Sequence, residues 1–269
     1  MKLKIISYNI LNGFSTDKLP YEFEKDRMIM ASKIIESQTP DILVLTGGYL
    51  WPFAKKVSMN NFSKEFSKIY NFYEKPLYSF RWAPVLLTKY EIIKYDSSMS
   101  KFHLNYLRSI IKIKNKILII DVFHPHPSKS ENDKVDFLKD VFSKHKLPDL
   151  LIGDLNSFSL KDDYDKNKLL RGYSTFMKNP QEKINDLLSG NTITFMENNK
   201  LIDTYKVINS NFDFTIPTNL LSTNKDSACR IDFIFCSNKI QVLNSGIIKT
   251  KQTEEASDHF PIYAELEIK

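Results

Sequence analysis

The stretch Gly153-Asp154-Leu155-Asn156 directly follows the run PDLLI at 148–152. The length of this apolar run and its turn-like ending predict a buried strand. Asp154 and Asn156, two residues apart just past the strand, are expected to project to the same side, in the loop region where α/β folds place their chemistry. An Asp can accept a proton or bind a hard cation, and an Asn can donate to a developing negative oxygen. Taken alone, the tetrapeptide is also typical of a turn.

The composition predicts a folded α/β or all-β chain. Its 269 residues suffice for one large domain or two small ones. The hydrophobic content of 42% supports a real core and argues against disorder. The net charge of +6 permits a polyanionic partner such as nucleic acid or an anionic membrane surface. Because the lysines are scattered along the chain, most of them are expected on solvated faces.

The cysteines and the N-terminus bear on location. Cys229 and Cys236 are too few for a disulfide framework, and their spacing makes no zinc site. The basic N-terminus has no apolar core of signal-peptide length, and no segment approaches a membrane span. A reduced, cytoplasmic protein is the simplest expectation.

Short apolar runs separated by two or three helices predict a layered α/β sandwich of two packed sheets with helices outside. Helices are predicted at 26–38, with Asp26 as N-cap and an end before Pro40, at 132–146, and around 53–69. The polar segment 161–200 is interpreted as a loop or insertion within one domain. The predicted strands are 3–9, 41–46, 84–88, 108–113, 117–123, 149–153, 230–236, 240–248 and 260–268.

Asp232 is the most informative polar residue outside the GDLN stretch. A carboxylate inside the apolar strand RIDFIF is costly unless a partner satisfies it. A histidine is the obvious partner, and the carboxylate would fix its tautomer and make it more basic. An ion pair with Arg230 across a sheet edge is the alternative.

Three more stretches place polar residues at the ends of predicted strands. They are Asn9 in SYNILN, His124 in VFHPHPS, and the pair Asp258-His259 in SDHFPI. Each has an alternative interpretation. Asn9 can be a satisfied strand-end group, His124 with His126 can be loop residues or a metal pair, and Asp258-His259 can be a cap before the last strand.

Taken together and in this order, these stretches resemble the endonuclease/exonuclease/phosphatase superfamily. That group includes DNase I-like nucleases, apurinic endonucleases, deadenylases, inositol polyphosphate phosphatases and neutral sphingomyelinases. The resemblance covers about residues 3–266 and implies one domain over 1–269. It also implies a DNase I-like four-layer α/β sandwich of two packed, mainly antiparallel sheets flanked by helices. The motifs are SYNILNG, DILVLTGG, APVLLTKY, VFHPHPS, LIGDLNS, RIDFIF and SDHFPI.

The resemblance implies catalytic roles for five residues. Asp154 matches the residue that orients or deprotonates the attacking water, and Asn156 matches its neighbour that stabilises the transition state. His259 matches the histidine that contacts the scissile phosphate, held by Asp232. His124 matches a second active-site histidine of the DNase I-like and sphingomyelinase-like branches.

The resemblance also implies a divalent cation, Mg²⁺ or Mn²⁺, near Asn9 and Asp258. Such cations take oxygen ligands, and Mg²⁺ keeps several waters, so few protein ligands suffice. The family's metal-binding glutamate, however, is Gly47 here, and no acidic residue lies between Asp41 and Glu65.

Three explanations for Gly47 compete. The protein is a natural non-catalytic relative that still binds a phosphate-bearing ligand, or its glutamate was replaced to stop turnover. Alternatively, another residue or a water on the glycine backbone completes the cation shell. Losing a ligand carboxylate should cost at least the roughly 10–100-fold that second-sphere partners are worth in metal affinity or activity.

We therefore predict a Mg²⁺-dependent phosphodiesterase or nuclease that directs an oriented water at a phosphoester, in a form impaired at Gly47. The alternatives are a non-catalytic binder of nucleic acid or a phosphorylated ligand, and an inositol-phosphate or sphingomyelin-type phosphoesterase. The expected partner is nucleic acid or another phosphodiester. Aromatic and basic residues that would grip a strand, or simply pack, are Tyr49, Trp51, Phe53, Arg81 and Trp82.

Overall fold

The computed structural model describes residues 1–16, 22–48, 70, 72–74, 84–101, 103–222 and 224–268. The helix predicted around 53–69 lies outside these residues. The residues predicted to contact a nucleic-acid strand, at 49, 51, 53, 81 and 82, also lie outside them. Among the described helices, none is both long and apolar enough to cross a membrane.

Twelve strands are described, numbered in chain order. They are β1 Lys2–Asn9, β2 Ile42–Thr46, β3 Phe72–Glu74, β4 Val85–Thr88, β5 Glu91–Asp96, β6 Leu104–Ile113, β7 Lys116–Pro125, β8 Leu150–Asp154, β9 Leu201–Asp203, β10 Asp232–Ser237, β11 Ile240–Ile247 and β12 Ile262–Ile268. All nine predicted strands are present, with ends shifted by a few residues. The three that the sequence did not predict, β3, β5 and β9, are short or lie at sheet edges.

The strands form two six-stranded sheets. The first has the order β11-β12-β1-β2-β4-β3, and the second has the order β5-β6-β7-β8-β10-β9. Pairing is antiparallel except for β1 with β2 and β7 with β8, which are parallel. Each sheet thus contains one parallel pair near its centre. The two strands of that pair run in the same direction, so both end at the same edge of the sheet.

The helices described are α1 Lys25–Gln38, α2 Glu131–Lys144, α3 Lys166–Ser174, α4 Pro180–Leu187, α5 Asn191–Asn198, α6 Thr204–Ile208 and α7 Lys251–Ala256. A single turn of left-handed backbone lies at Leu11–Phe14, and a 3₁₀ turn lies at Lys225–Ser227. Helix α2 begins with a capping box between Ser130 and Asp133.

Two local predictions were wrong. Helix α1 begins at Lys25, so Asp26 lies in its first turn instead of capping it; there its charge faces the positive helix end. The segment 161–200 is largely helical, because α3, α4 and α5 lie within it. These helices are short and bury only a few apolar side chains each, such as Leu169 and Ile193, so their apolar periodicity is sparse.

The packing makes four layers. Residues from both sheets, including Ile5 and Val44 of the first and Leu107 and Ile152 of the second, form one core between them. Helix α1 packs on the outer face of the first sheet, and α2 and α5 pack on the outer face of the second. The fold is therefore a four-layer α/β sandwich, as the sequence predicted.

Candidate active site

The site lies where the two sheets end side by side. From the first sheet come Asn9, the last residue of β1, and Gly47, which follows β2; the register pairs Asn9 with Thr46. Asp258 and His259 precede β12 and reach the same edge, because β12 runs antiparallel to β1. The parallel direction of β1 and β2 therefore brings residues far apart in sequence to one place.

The second sheet contributes its residues at the facing edge. His124 lies near the end of β7, Asp154 ends β8, and Asn156 follows it. Asp232 begins β10 and is directly paired with Asp154 across the antiparallel ladder. The structure thus brings together all seven residues that the sequence analysis named as catalytic or metal-proximal.

Asp154 is the centre of the cluster. Its Oδ2 accepts from Nδ2 of Asn9 at 2.9 Å and lies 3.6 Å from Nε2 of His124 and 3.7 Å from Nε2 of His259. Its Oδ1 accepts from the backbone N–H of Asn156 at 2.9 Å. The carboxylate is 2% exposed, so these donors, and not bulk water, set its orientation.

His259 and Asp232 form the second part of the cluster. Nδ1 of His259 lies 2.8 Å from Oδ2 of Asp232, which directs Nε2 towards Asp154. The backbone N–H of Asp232 points at the hydroxyl of Thr215, 3.4 Å away. Arg230, the alternative partner for Asp232, instead donates to Asp162 and Asp203.

Burial and neighbouring charges shift the pKa values of both Asp154 and His259. Burial, with the adjacent charge of Asp232, raises the pKa of Asp154 to about 7, against the lowering effect of His259. Burial alone would lower the pKa of His259, but the carboxylates of Asp232, Asp258 and Asp154 raise it to about 10. At neutral pH the cluster therefore holds an imidazolium beside a carboxyl group that titrates near neutrality.

Gly47 has a backbone conformation that suits glycine. Its φ is +67°, in the left-handed region. An ideal Cβ built on it would lie 2.3 Å from Oδ1 of Asn9. Its N–H points at Nδ1 of His124, 3.4 Å away, and its carbonyl accepts from the N–H of Gly13 at 2.8 Å. The loop after β2 is thus packed against Asn9 without room for a side chain.

Oxygen donors suited to a hard cation remain at this edge. The hydroxyl of Ser257 donates to the carbonyl of Asn9 at 2.6 Å and lies 3.2 Å from Oδ1 of Asp258, which ties the two residues together. One carboxylate and one amide oxygen fit a Mg²⁺ or Mn²⁺ ion held mostly through water and a substrate phosphate. Such a site has fewer ligands than one that also contains a carboxylate at position 47, and it should bind the cation more weakly.

A second group of potential metal ligands is the cluster itself. Among the described residues, Asp154, Asp232 and His259 are the one set of three acidic, His or Cys side chains with ligand atoms within 4.8 Å of one another. Nδ1 of His259 is bonded to Asp232, so a cation there would bind Nε2, and the ring would have to lose the proton that the neighbouring carboxylates favour. The His124–His126 metal pair finds no third ligand in the described part of the chain; Nδ1 of His126 lies 2.6 Å from the hydroxyl of Ser128.

A buried network behind the GDLN loop was not predicted from the sequence. Lys134 of α2 donates to the carbonyl of Asn156, to Oε1 of Glu131 at 2.8 Å and to the hydroxyl of Ser157 at 2.9 Å. The side chains of Lys134 and Glu131 are both fully buried. Asn156 has a φ of +47°, and its Nδ2 donates to the carbonyl of Pro125 at 2.9 Å. A lysine on the apolar stripe of α2, three residues after a glutamate, is the signal that was available.

The cluster opens into a cleft with a volume of about 580 Å³. Polar residues of the cluster line one part of it, and residues of segments 158–187 and 216–231 also line it. This contribution was also missed, in part because the segment 161–200 was interpreted as a loop. A cleft of this volume is typical of small-molecule binding sites.

No family model matches the chain, and no curated protein matches it. Solved structures do. An endonuclease/exonuclease/phosphatase from Bacteroides vulgatus is 16% identical, with a TM-score of 0.66 over 100% of both chains. TDP2 of D. rerio, complexed with single strand DNA product, is 16% identical, with a TM-score of 0.63 over 99% of each chain. The human Nocturnin catalytic domain is 15% identical, with a TM-score of 0.59 over 100% of this chain and 95% of its own. This chain therefore has the DNase I-like fold of the endonuclease/exonuclease/phosphatase superfamily.

Proposed function

We propose that the chain, as one domain over 1–269, is a metal-dependent phosphoric ester hydrolase that attacks a phosphodiester with an oriented water. The observation that carries the proposal is the position of Asp154: a buried carboxylate with a pKa near neutrality that faces Asn9, His124 and His259 at the mouth of a cleft. A carboxylate of this kind is suited to accept a proton from water.

The proposed roles follow from the contacts. Asp154, oriented by the amide of Asn9, accepts the proton of the attacking water. His259 is kept protonated by Asp232 and donates from Nε2 to a phosphoryl oxygen as negative charge grows there. Nδ1 of His124 faces the N–H of Gly47, so Nε2 carries the proton and is a second donor on the cleft side.

Asn9 and Asp258 are proposed to hold the cation, Mg²⁺ or Mn²⁺. A bound divalent cation would supply positive charge to the phosphoryl oxygens. Asn156, whose amide donates to Pro125, keeps its second amide hydrogen for the substrate. With few protein ligands, we expect cation binding to depend on the phosphate of the substrate.

The substrate class is the open part of the proposal. TDP2 of D. rerio, which shares the fold, was solved with a single strand DNA product. This supports nucleic acid as the first class to test. A panel of single-stranded DNA, RNA, abasic duplex, cyclic dinucleotides, inositol phosphates and sphingomyelin covers the classes that the sequence resemblance implies.

The test is hydrolysis of bis(p-nitrophenyl) phosphate and of that panel with Mg²⁺ or Mn²⁺. Asp154→Asn and His259→Gln are each expected to lower the rate by roughly 10²–10⁴-fold. The matched controls are Asp163→Asn and His145→Gln, which change exposed residues of the same types and should retain full activity. Hydrolysis that survives both cluster variants would place the activity elsewhere and overturn the proposal.

Gly47 favours a second candidate, a non-catalytic protein that binds a phosphate-bearing ligand in the same cleft. Calorimetric titration with inorganic phosphate separates the two candidates. Binding that His259→Gln abolishes, with no hydrolysis of any panel member at either cation, would support the binding protein against the enzyme. Turnover above the Asp154→Asn background would exclude it.

A further inference from the structure

Part of the wall of the cleft is apolar. We call it the apolar annex and define it by Phe158, Tyr173, Phe176, Leu187, Leu221 and Ile231, all of which line the same cleft as Asp154 and His259. Because the annex continues directly from the catalytic cluster, a ligand whose phosphate lies at the cluster would extend its substituent into the annex.

The floor of the annex is preformed. Phe158, Leu187 and Ile231 are buried and belong to a small hydrophobic cluster separate from the cores on the two faces of each sheet. The ring of Phe158 stacks on that of Tyr164, with centroids 4.5 Å apart. A floor held in place by its own packing can accept an apolar group without first being ordered, which favours binding.

The rim of the annex exposes large apolar side chains. Phe176 is 65% exposed and Leu221 is 53% exposed, and both line the cleft. A single exposed apolar residue is ordinary, but two on the rim of one apolar cavity next to a reactive cluster indicate a surface that a ligand covers.

The small number of basic side chains among the described residues of the cleft also favours a ligand with a single phosphate. Among the described residues that line it, Lys183 is the one lysine or arginine. Burial and the charge of Lys134 lower the pKa of its ammonium group, which also donates to the carbonyl of Lys129 at 3.3 Å. A nucleic-acid strand is gripped through several lysine or arginine contacts to successive phosphates. One lysine beside the Asp154–His259 cluster matches a single phosphate.

We propose that the substrate is a phosphoester whose substituent is apolar, an alkyl chain or an aryl ring, with the phosphate at the Asp154–His259 cluster and the substituent in the apolar annex. This inference rests on the proposed phosphoesterase function for the position of the phosphate. The Asp154–His259 cluster then supplies the catalytic groups, and the apolar annex selects the substrate.

Binding is measured by calorimetry, so that the test does not depend on turnover. The ligands are inorganic phosphate, butyl, hexyl and octyl phosphate, phenyl phosphate, and a short single-stranded oligonucleotide. We expect each added methylene to tighten binding by about fourfold until the annex is full. Comparing hexyl with phenyl phosphate, which have equal carbon counts, distinguishes the alkyl from the aryl substituent.

Two rim variants locate the effect without disturbing the core. Phe176→Ser and Leu221→Ser should flatten the dependence on chain length and leave the affinity for inorganic phosphate unchanged. Ile93→Ser, at a position 52% exposed but outside the cleft, is the matched control and should keep the full dependence.

The outcomes separate this inference from the proposed function. Affinity that does not rise with chain length, an oligonucleotide that binds more tightly than octyl phosphate, or a rim effect that Ile93→Ser reproduces would each overturn the annex. Chain-length dependence without hydrolysis of any ester would support the annex and count against the phosphoesterase. Hydrolysis of diesters by a protein with no chain-length dependence would do the reverse.

Discussion

Oδ1 of Asn9 occupies the space that a β-carbon on Gly47 would need, since an ideal Cβ there lies 2.3 Å from that oxygen. The same Oδ1 accepts from the N–H of Leu11 at 3.1 Å, and Nδ2 of Asn9 donates to Asp154 at 2.9 Å. The glycine is therefore coupled to the orientation of the central carboxylate through one side chain. Position 47, where the family resemblance implies a glutamate, is packed against Asn9.

Gly47→Ala should destabilise the protein by roughly 1–3 kcal/mol or more, because a left-handed backbone is unfavourable for alanine and the methyl group displaces Asn9. Urea denaturation measures this loss. Gly246→Ala is the matched control: the atoms nearest to its new Cβ belong to the ring of Tyr263, at 3.0 Å, and that half-buried ring can move. Part of the loss should disappear when Asn9→Ala is added to Gly47→Ala. Equal losses for the two glycines would contradict the packing argument.

Gly47→Glu is not expected to rebuild a metal site. A glutamate at a φ of +67° would have to push away Asn9, which is itself proposed to hold the cation. Titration with Mn²⁺, followed by calorimetry, should therefore not show the roughly 10–100-fold gain that well-placed groups around a metal provide. In the otherwise unchanged chain, which has Gly47, Asp258→Asn should weaken Mn²⁺ binding. Tightening of tenfold or more in Gly47→Glu would mean that the loop relaxes and that position 47 is still a ligand position.

The strands that carry the site could be predicted because they are buried on both faces and appear as apolar runs. The run at 149–153 became β8 Leu150–Asp154 with an error of one residue at each end. Strand β9 Leu201–Asp203 has three residues, too few to show a period, and β5 Glu91–Asp96 is a half-exposed edge strand. Elements at the sheet edges bury less apolar surface, and their sequences are correspondingly less regular.

The features of the site, like the strands, differ in how far the sequence could predict them. The pairing of Asp232 with a histidine could be anticipated, because a carboxylate in an apolar strand requires a partner. The contact of Lys134 with the carbonyl of Asn156 could not, because a backbone acceptor has no sequence signature. The annex was missed because its walls come from short helices and loops, whose positions depend on packing and not on local pattern.

The raised pKa of Asp154 makes stability depend on pH. A folded-state pKa of about 7, above the ordinary 3.8, means that this group's contribution is fully present below pH 3.8 and is lost as the pH rises towards 7. In metal-free protein, Asp154→Asn should therefore gain stability relative to the parent chain by roughly 2–3 kcal/mol between pH 5 and pH 8. Urea denaturation in EDTA at the two pH values measures this difference.

The exposed Asp163→Asn is the control for that experiment and should show no such gain. The imidazolium of His259 titrates higher, at about 10, so it stays charged in the parent chain over this range. A difference between Asp154→Asn and the parent chain that does not change with pH would mean that Asp154 ionises as an ordinary carboxylate. Its proposed role as the proton acceptor would then lose its electrostatic basis.

Lys134 and Glu131 form a buried pair behind the GDLN loop. Lys134→Met leaves Glu131 as an uncompensated buried charge and removes a donor from the carbonyl of Asn156, so it should lose about 3–5 kcal/mol of stability. Adding Glu131→Gln removes that charge and keeps an acceptor for the N–H of Thr192, so the pair should lose less than Lys134→Met alone. Lys139→Met, on the exposed face of the same helix, should stay within about 0.5 kcal/mol of the parent chain. Urea denaturation ranks the stabilities of the three variants.

Because Lys134 does not line the cleft, slower hydrolysis of bis(p-nitrophenyl) phosphate by the pair variant would show that Lys134 positions the Asn156 loop. A pair variant as unstable as Lys134→Met would show instead that Lys134 acts through its packing and not its charge.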